Sequence, residues 1–496
     1  MTQKPTIQDW QSLRAGSRIF FVGIGGISMS GLAEIAKATG HLVAGSDKNP
    51  TYRTDYLKTQ GIMVYAGHKP DWVDEFKPDL VVHTAAVHND NPELIRARAL
   101  QITTIDRATF LGWLNRSFRQ IVNISGTHGK TTTTAICSLI LMKSGVNPTV
   151  HLGAELSQFH GTVHLGTPGQ VMVSEACEYM NSFHQFFSTT AAVLNIDYDH
   201  VDCFGSLDAV VHAFAVFADH LPDDGFLVVP TFDTHVAAML QEVARLRAAA
   251  GRPEPRLVTF GDEPAPGAVR PDFYCRRLIF EEGLPNFEIW HNDAFYCRVH
   301  LRIPGRHNVY NALAAVACAC LNGADPTAAE AVLNTFQGAE GRFTETGSYR
   351  GARVIADYAH HPSAARATLA AASHVPHQHT WVVFQPLTFS RTRVLFDDFV
   401  DALKPCELVI FSEIYSDRET NPGDISSRML ADRINELGGH AIFAENFQVI
   451  REQLDRVVQP GDLILVLGPE NIREFADELT GRPPQAHYQE PAPMRA

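Results

Sequence analysis

The chain has 496 residues, 45% of them apolar and 19% charged, a composition that excludes wholesale disorder, collagen-like repeats and a small disulfide-stapled fold. Because one hydrophobic core stops growing near ~250–300 residues, this length predicts two or three domains. Lys and Arg number 41 against 55 Asp and Glu, so the formal net charge is −14, which argues against a nucleic-acid partner that needs a positive surface.

The N-terminal stretch 1–17 is polar and has no apolar core of signal-peptide type. The longest apolar runs, such as 312–321, are about half the ~20 residues needed to cross a bilayer. Eight cysteines occur without a CxxC pair, which predicts free, buried thiols in a reducing compartment. The sequence therefore predicts a cytoplasmic protein with no membrane insertion.

The predicted elements fall into three successive α/β units, in which strands alternate with helices as in parallel sheets. The first unit, over about the first 115 residues, has strands at 19–24, 42–44 and 80–83 and a helix at 28–39. The second has strands at 121–124, 171–174, 192–196 and 226–229, a helix ending at 143, small antiparallel strands within 257–301 and a helix starting near 307. The third has strands at 354–356, 381–384, 408–411 and 463–467 and helices at 364–373, 393–403, 426–437 and 446–457.

The loop Gly126-Thr127-His128-Gly129-Lys130-Thr131-Thr132 lies between a predicted strand and helix. Backbone N–H groups at a helix N-terminus can wrap phosphate oxygens, and Gly129 permits their close approach. Lys130 can then reach the β- and γ-phosphates, and the Thr131 hydroxyl can bind Mg²⁺. The loop is shorter than GxxxxGK[ST], and the alternative is a glycine-rich turn with a solvated lysine.

A second glycine-rich segment, Gly23 to Gly31, is similar to a dinucleotide fingerprint, but Ser28 stands where the third glycine would be. With Asp47 downstream, it favours a pyrophosphate at the helix N-terminus. An NAD site, a site for another pyrophosphate ligand and a tight structural turn all remain open.

Polar residues follow several predicted strands, at the edge where α/β proteins bind ligands. Glu175 and His200 could share Mg²⁺ with Thr131, although Mg²⁺ prefers oxygen ligands; a surface charge is the alternative for Glu175. Asn308 could meet an adenine edge or cap its helix. Arg391 suits a carboxylate or phosphate.

Motifs in one fixed order are similar to those of the Mur ligase family of peptidoglycan synthesis. They are GIGGISMSG (23–31), GTHGKTTT (126–133), SEACEY (174–179), NIDYDHVD (195–202), GRHNVYNA (305–312), DYAHHP (357–362) and FQPLTFSRTR (384–393). The resemblance runs from about residue 18 to 470. It implies an α/β fold of three domains: N-terminal Rossmann-like for a UDP-sugar (1–118), central P-loop ATPase-type (119–338), and C-terminal Rossmann-like for the amino acid and ADP (339–496).

Within the family, the motifs are most similar to the member that adds the first amino acid. This implies ATP-dependent amide formation between UDP-N-acetylmuramate and L-alanine through an acyl phosphate, with ATP and Mg²⁺ as cofactors and small molecules as partners. The oligomeric state is expected to be a monomer or a homodimer. Closure of the domains is expected, with hinges near 116–120 and 338–342.

The resemblance also implies roles for individual residues. The catalytic residues are Lys130, His200, Arg391 and His360, and the metal ligands are Thr131, Glu175 and His200. The ATP-binding residues are Gly126, Thr127, His128, Gly129, Lys130, Thr131, Thr132, His307, Asn308, Asn311, Arg342 and Asp357. The UDP-sugar-binding residues are Gly23, Gly25, Gly26, Ser28, Ser30, Asp47, His68, Thr84, Ala85 and Ser182, and the amino-acid-binding residues are His361 and Arg391.

The sequence departs from the family pattern at several places. Leu387 stands where the family often has His, and Gly341 precedes Arg342 where paired arginines are common. The stretch 175–204 has no lysine, so the carbamylated lysine of sister ligases is not available there. Leu387 leaves the choice of amino acid open.

Three alternative functions differ in what they leave unexplained. A recycling ligase that adds a tripeptide to the same sugar nucleotide has different motifs at 195–202 and 384–393. If the protein were an NAD-dependent oxidoreductase, the second phosphate loop with Lys130 would have no role. If it were a nucleotide-binding paralogue without catalytic activity, there would be no reason for Lys130, Thr131, Glu175, His200 and Arg391 to occur together.

Overall fold

The computed structural model describes residues 7–49, 51–84, 87–265, 267–416 and 419–482. These residues form three sheets in succession along the chain, each packed against helices. The protein is therefore a mixed α/β protein, and its three sheet-centred units are called the N-terminal, central and C-terminal units below.

The N-terminal unit is a five-stranded parallel sheet with its helices. Its strands are β1 (Arg18–Val22), β2 (Leu42–Asp47), β3 (Met63–Ala66), β4 (Leu80–His83) and β5 (Thr103–Asp106), and its helices are α1 (Ile27–Ala38), α2 (Tyr52–Thr59), α3 (Pro70–Phe76), α4 (Pro92–Ala99) and α5 (Arg107–Asn115). The strand order is β3-β2-β1-β4-β5. Because the order reverses between β1 and β4, the glycine-rich loop after β1 lies at the crevice where such sheets bind ligands.

The central unit is built around a ten-stranded sheet. Its strands are β6 (Gln120–Ser125), β7 (Thr149–Leu156), β8 (Gly161–His164), β9 (Val171–Glu175), β10 (Thr190–Val193), β11 (Phe226–Pro230), β12 (Arg256–Asp262), β13 (Phe273–Glu281), β14 (Leu284–His291) and β15 (Ala294–His300). Its helices are α6 (Lys130–Lys143), α7 (Leu207–Asp219), α8 (Thr234–Ala249), α9 (Arg306–Leu321) and α10 (Pro326–Leu333), with 3₁₀ turns at Ser157–Phe159 and Tyr179–Gln185. The strand order is β15-β14-β13-β12-β11-β10-β6-β9-β7-β8, and the apolar faces of α6 and α9 are buried together.

One prediction for the central unit was confirmed for β13, β14 and β15 and wrong for β12. The strands within 257–301 were expected to be antiparallel, but β12 pairs in parallel with both β11 and β13, and only β13, β14 and β15 pair antiparallel to one another. Alternation of apolar and polar residues shows that a strand has one exposed face, and it does not encode the direction of its neighbour.

The C-terminal unit is a six-stranded sheet with the order β16-β17-β21-β18-β19-β20. Its strands are β16 (Thr344–Tyr349), β17 (Ala352–Asp357), β18 (Thr380–Phe384), β19 (Leu408–Phe411), β20 (Ala441–Phe443) and β21 (Leu463–Leu467). Its helices are α11 (Pro362–Ala372), α12 (Phe389–Val394), α13 (Phe396–Leu403), α14 (Ser427–Glu436), α15 (Phe447–Val457) and α16 (Glu470–Thr480). The pairing is parallel except between β16 and β17.

The prediction of one continuous helix over 393–403 was wrong. Leu395 (φ −101°, ψ 25°) leaves helical geometry and separates α12 from α13. Because of this break, α12 buries Arg391 and Thr392, while α13 packs against α11 and buries Phe399 and Val400.

All eight cysteines are unpaired, and half of them are buried while the other half are partly exposed. Within the described ranges, none of the helices has the length and apolar character needed to span a membrane.

Candidate active site

A cleft of about 510 Å³ lies between the central and C-terminal units. Its walls are the loop between β6 and α6, the ends of β9 and β10, the start of α9, and the loops that follow β17 and β18. The predicted site residues that line it are Thr127, His128, Gly129, Lys130, Thr131, Thr132, Glu175, His200, His307, Asn308, Asn311, Arg342, Asp357, His360, His361 and Arg391. Residues predicted from separate motifs therefore share one cavity.

The loop between β6 and α6 has the backbone that a phosphate site requires. Gly126 (φ 138°) and Gly129 (φ 85°) adopt conformations that side chains disfavour. A Cβ at Gly129 would also collide with the side-chain oxygen of Asn311, so the loop and α9 are in close contact. The N–H groups at the start of α6 consequently open into the cleft, where anions are stabilised.

Lys130 forms a buried ion pair at the base of the cleft. Its Nζ lies 2.9 Å from Glu178 Oε2 and donates to the carbonyl oxygens of Gly126 and Thr127 at 2.5 and 3.2 Å. His200 Nε2 lies 3.4 Å from Glu178 Oε1. Burial by itself would raise the pKa of Glu178, but Lys130 and His200 outweigh it and lower that pKa to about 2. The carboxylate that holds Lys130 is therefore ionised.

Thr131 and Glu175 fit a magnesium position. The Thr131 hydroxyl donates to Glu175 Oε2 at 3.1 Å, and the Gly153 N–H donates to Oε1 at 2.7 Å. Burial raises the pKa of Glu175, against the opposing effects of the Gly153 N–H, Arg342 and Lys130. In the described part of the chain no cation lies within ion-pair distance of this carboxylate. A buried carboxylate beside a hydroxyl supplies the oxygen ligands that Mg²⁺ prefers.

His200, which was predicted as a metal ligand, lies against Glu178, which follows β9. Its Nδ1 is buried and has no hydrogen-bond partner among the residues described. The Glu178 carboxylate therefore orients the His200 ring at the cleft.

Arg391 links the C-terminal unit to the central one. Its Nε and Nη2 lie 2.7 and 2.6 Å from Asp199 Oδ1, and its Nη1 donates to the Leu387 carbonyl at 3.1 Å. Burial would raise the pKa of Asp199, but the Arg391 guanidinium holds it well below its usual range. The pair is therefore a fully charged, buried contact between two units.

A hydrogen-bond network joins the phosphate loop to the start of α11. The Ser363 hydroxyl lies 2.7 Å from His128 Nε2, 2.7 Å from His361 Nδ1 and 2.8 Å from Asp197 Oδ2. His361 Nε2 also lies 3.2 Å from the Tyr198 carbonyl oxygen. The loop therefore has direct contact with the C-terminal unit.

His360 is a neutral imidazole in the cleft wall. Burial lowers its pKa well below the usual value, and Arg391 adds to this effect. Its Nδ1 lies 2.7 Å from the Tyr358 carbonyl oxygen. Because a carbonyl can only accept, Nδ1 carries the proton and Nε2 is left as a proton acceptor.

Asp357 and Arg342 border the same cavity from the C-terminal side. Burial raises the pKa of Asp357 to about 6, although Arg342 and the Phe343 N–H act in the opposite direction. Arg342 donates to the Thr131 hydroxyl at 3.4 Å and lies 4.9 Å above the Tyr358 ring. These residues therefore meet the magnesium position as well as the third unit.

The start of α9 forms a wall of the cleft with both polar and apolar side chains. Asn311 Nδ2 donates to Asn308 Oδ1 at 2.9 Å, and Asn308 Nδ2 donates to the Pro304 carbonyl at 2.7 Å. Desolvation beside the cleft lowers the pKa of His307, although the residue as a whole is exposed. Phe232 lies in the same wall. Such a wall suits a nucleobase, which needs an apolar face and a few polar contacts.

The glycine-rich loop after β1 contacts Asp47 and Thr84, two of the residues predicted for the UDP-sugar. The Gly25 N–H donates to Asp47 Oδ2 at 2.8 Å, and the methyl group of Thr84 packs where a Gly23 side chain would lie. His68 Nδ1 lies 2.9 Å from Glu93 Oε2. Gly26 is the N-cap of α1.

Three further UDP-sugar predictions fall at different places. Ser30 donates within its own helix to Ile27, and Ser182, in the central unit, donates to the Tyr179 carbonyl at 2.7 Å. The 3₁₀ turn that contains Ser182 packs against α5. Ala85 lies outside the described residues.

Ser28 connects the glycine-rich loop to the central unit. Its hydroxyl lies 3.0 Å from His151 Nε2 and accepts a hydrogen bond from Arg107 Nη1 at 3.1 Å. Burial lowers the pKa of His151 to about 4, so this contact is made by a neutral ring. The guanidinium of Arg107 therefore lies beside the predicted pyrophosphate position.

Several residues of these contacts were not among the predicted site residues: Glu178, Asp197, Asp199, Ser363 and Arg107. Glu178 and Asp199 stand in the motifs SEACEY and NIDYDHVD, after the same strand ends as Glu175 and His200, but no role was predicted for them. No local signal marks Arg107 or Ser363, because their partners lie 79 and 235 residues away in the chain.

Fold and cleft together are those of a three-unit nucleotide-dependent enzyme. The loop between β6 and α6 in the central unit and the Arg391 guanidinium from the C-terminal unit lie in the same cavity. Family models agree along the chain: the catalytic domain of the Mur ligase family matches 18–119, the Mur ligase middle domain matches 124–319, and the Mur ligase glutamate ligase domain matches 341–469. The chain belongs to the Mur ligase family.

Relatives and solved structures agree with this assignment. The UDP-N-acetylmuramate–L-alanine ligase of Acetivibrio thermocellus is 39% identical over 460 residues, which is 92% of this chain and 94% of the relative. That of Caldanaerobacter subterraneus is 37% identical over 93% of this chain and 97% of the relative. The crystal structure of the UDP-N-acetylmuramate–alanine ligase of Thermotoga maritima is 28% identical with a TM-score of 0.75, covering 94% of this chain and 98% of that one.

Proposed function

We propose that this protein joins L-alanine to the carboxylate of UDP-N-acetylmuramate at the expense of ATP, in peptidoglycan precursor synthesis. The observation that carries the proposal is that Lys130, His200 and His360 line one cleft together with Arg391, which enters it from another unit. Relatives of the same length and more than a third identical, which carry this activity in their names, support it.

ATP would place its phosphates on the N–H groups at the start of α6 and its base against the α9 wall. Lys130 would leave Glu178 for the β- and γ-phosphates, since a phosphate competes well for a buried ammonium. Thr131 and Glu175 would hold Mg²⁺, which offsets negative charge on transferring phosphates when it is bound. The carboxylate of the sugar nucleotide would receive the γ-phosphoryl group and become an acyl phosphate.

L-Alanine would then attack the acyl phosphate from the C-terminal side of the cleft. Arg391 and His361 would orient its carboxylate, and His360 Nε2 would accept the proton that the amine loses. His200 would stabilise the charge on the reacting carbonyl and phosphate oxygens. Collapse of the tetrahedral intermediate would release phosphate and leave the amide.

The sugar nucleotide would lie between the N-terminal and central units. Its diphosphate would meet the glycine-rich loop at α1, where Ser28, the N-terminus of a helix and Arg107 converge. The lactyl carboxylate would then point toward Lys130. We place the domain boundaries at 118 and 338, the reaction in the cytoplasm, and the assembly as a monomer or homodimer, which sedimentation would distinguish.

The test is phosphate release from ATP and Mg²⁺ with UDP-N-acetylmuramate and a panel of L-Ala, L-Ser, Gly and a tripeptide. We expect turnover only when the sugar nucleotide and a small L-amino acid are both present. Turnover with the tripeptide alone among the acceptors would replace this proposal by the recycling ligase. Leu387 lines the cleft, so the panel also measures how its apolar side chain affects amino-acid choice.

Lys130→Ala should abolish turnover, because the γ-phosphate loses its nearest fixed cation. Lys143→Ala, at the other end of the same helix, is the matched control and should leave turnover near that of the wild type. Wild-type activity in Lys130→Ala would contradict the phosphate-loop assignment.

A further inference from the structure

The C-terminal end of β7 contacts both the N-terminal unit and the connection to the C-terminal unit. Glu155, next to the last residue of this strand, is 7% exposed. Its side chain contacts α2 of the N-terminal unit, and its backbone carbonyl accepts the N–H of Glu340 at 3.1 Å. Glu340 belongs to the segment 338–342 that joins the central unit to the C-terminal unit, called the linker below. One buried residue of the central unit therefore contacts the first unit and the linker to the third.

The side chain of Glu155 is connected to the glycine-rich loop through one arginine. Arg53 Nη1 lies 3.4 Å from Glu155 Oε1, and the two side chains are 13% and 7% exposed. The Tyr52 hydroxyl donates to the same carboxylate oxygen. Arg53 Nε also donates to the Gly25 carbonyl at 2.9 Å. Because a guanidinium is planar and rigid, Arg53 fixes the Gly25 backbone and the Glu155 carboxylate relative to each other.

The backbone of Glu155 is connected to the cleft through the linker. Gly341, which follows Glu340, adopts a left-handed conformation (φ 71°), so the chain turns sharply at this point. The next residue, Arg342, lines the cleft and donates to the Thr131 hydroxyl at 3.4 Å. The hydrogen bond between the Glu340 N–H and the Glu155 carbonyl therefore fixes the linker two residues before the arginine that reaches the magnesium position.

The same end of β7 also contacts the carboxylate of the magnesium position. The N–H of Gly153, two residues before Glu155, donates to Glu175 Oε1 at 2.7 Å. A displacement of this strand end consequently acts on Glu175 through Gly153 and on Arg342 through the linker. Both parts of the phosphate site depend on where the end of β7 lies, and the contact with Arg53 fixes that position.

We propose that Glu155 is a positioning residue that couples a ligand on the glycine-rich loop to the arrangement of the cleft. A ligand on the loop fixes the Gly25 carbonyl and with it Arg53, and Glu155 then fixes the end of β7 and the linker. Because such coupling is reciprocal, a nucleotide that holds Arg342 in the cleft also tightens the binding of the ligand on the loop. The identity of the two ligands rests on the proposed function, which assigns the sugar nucleotide to the loop and ATP to the cleft.

The first test needs no ligand. Hydrogen–deuterium exchange of the full chain measures the protection of the linker, whose Glu340 N–H is bonded to Glu155. Arg53→Ala should speed exchange in a peptide that covers 338–342 at least about fivefold, the effect of losing one hydrogen bond, although Arg53 belongs to another unit. Arg98→Ala, which removes an arginine bonded to Asn89 within the N-terminal unit, should leave that peptide unchanged. A peptide that covers β11 should keep its protection in both variants, which excludes general unfolding.

The second test measures the coupling by calorimetry, with UDP-N-acetylmuramate for the loop and Mg²⁺ with a non-hydrolysable ATP analogue for the cleft. In the wild type each ligand should tighten the other by the same factor, at least about fivefold. Glu155→Ala should reduce this factor below about twofold, while the affinity of each ligand alone changes less than about threefold. A merely structural role would weaken each ligand alone and leave the factor intact. Glu242→Ala, whose ion pair with Arg245 lies within α8, should retain the full factor.

The outcomes separate this proposal from the proposed function. Unchanged exchange of the linker in Arg53→Ala, an unchanged coupling factor in Glu155→Ala, or two ligands that bind the wild type independently would each overturn the coupling. Any of these results leaves the ligase proposal standing, because turnover does not enter the measurement. If UDP-N-acetylmuramate does not bind the wild type, the proposed function fails, and the exchange of the linker still decides whether Arg53 acts on it through Glu155.

Discussion

The buried ion pair between Arg391 and Asp199 should hold the C-terminal unit closed over the central one. The two side chains are 1% and 7% exposed, and the guanidinium nitrogens lie 2.6 and 2.7 Å from Asp199 Oδ1. Because the partners belong to different units, the pair exists only in the closed arrangement. Its loss should therefore act on closure and on every step that needs Arg391 in the cleft.

Asp199→Asn removes the charge and keeps the shape of the side chain. Removing one partner of a buried pair costs about 3–5 kcal/mol when the other charge stays buried. Here the units can separate and rehydrate Arg391, so we expect a smaller cost of about 2–3 kcal/mol. At about 1.36 kcal/mol per tenfold in rate, kcat/KM for amide formation should fall about 30- to 150-fold.

A double-mutant cycle with Arg391→Met checks the reasoning. If the two residues act as one unit, the double variant should be no slower than Arg391→Met alone. Small-angle X-ray scattering of Asp199→Asn should also show a larger radius of gyration. Losses that multiply in the double variant, together with an unchanged radius, would refute the role of the pair in closure.

The same helix provides a matched control. Arg393, two residues further along, pairs with Asp424 at 2.6 Å, but the side chains are 48% and 59% exposed. An exposed ion pair of this kind contributes little to the stability of a folded arrangement. Asp424→Asn should therefore change kcat/KM less than about twofold.

Three other perturbations follow from the geometry. Gly129→Ala should weaken ATP binding at least about tenfold in calorimetry, because its Cβ collides with Asn311 in a left-handed conformation (φ 85°); Gly145→Ala, with a similar φ of 80° and open space, should not. His151 has a pKa of about 4 in the folded protein and an ordinary value of 6.5 in the unfolded chain. Between these two pH values the unfolded chain binds a proton that the folded protein does not. The free energy of unfolding should therefore fall by up to about 3 kcal/mol as the pH drops from 6.5 to 4. His151→Gln should reduce this fall in urea unfolding, and an unchanged fall would contradict the assignment. Arg107→Ala should raise KM for the sugar nucleotide about tenfold or more with little change in kcat, whereas Arg98→Ala, whose side chain bonds only to Asn89 among the described residues, should leave KM unaltered.

The sequence predicted best what is determined locally. The strands at 80–83, 408–411 and 463–467 and the C-terminal end of α6 at Lys143 lie where they were expected. Each of these strands is a short apolar run bounded by turn or polar residues, so its first and last residues depend on the neighbouring sequence alone. The loop 126–132 was placed between a strand and a helix for the same reason, since its glycines, lysine and following helix are consecutive.

Contacts between residues of different units could not be predicted from local sequence patterns. Arg391 was assigned to a substrate, and its ion pair with Asp199 depends on how two units meet, which neither motif specifies. The contact between His200 and Glu178 is likewise not specified by either motif, since it depends on how the residues after β9 and β10 meet. The hairpin of β16 and β17 and the direction of β12 also depend on pairing between strands, which alternation of apolar residues does not encode.

The pairing of cations in the cleft explains how a chain of net charge −14 can bind polyanions. Lys130 and Arg391 are already neutralised by Glu178 and Asp199, so an arriving phosphate or carboxylate exchanges with an internal carboxylate and does not meet an unpaired cation. Such an exchange acts over about 3 Å, whereas the charge of the whole chain is screened within about 8 Å at physiological salt. A phosphate succeeds only if its oxygens lie where it can replace Glu178 on Lys130 while the Arg391–Asp199 pair keeps the units closed. The internal carboxylates therefore select for ligands of the correct geometry, and the net charge of the chain has little influence on that selection.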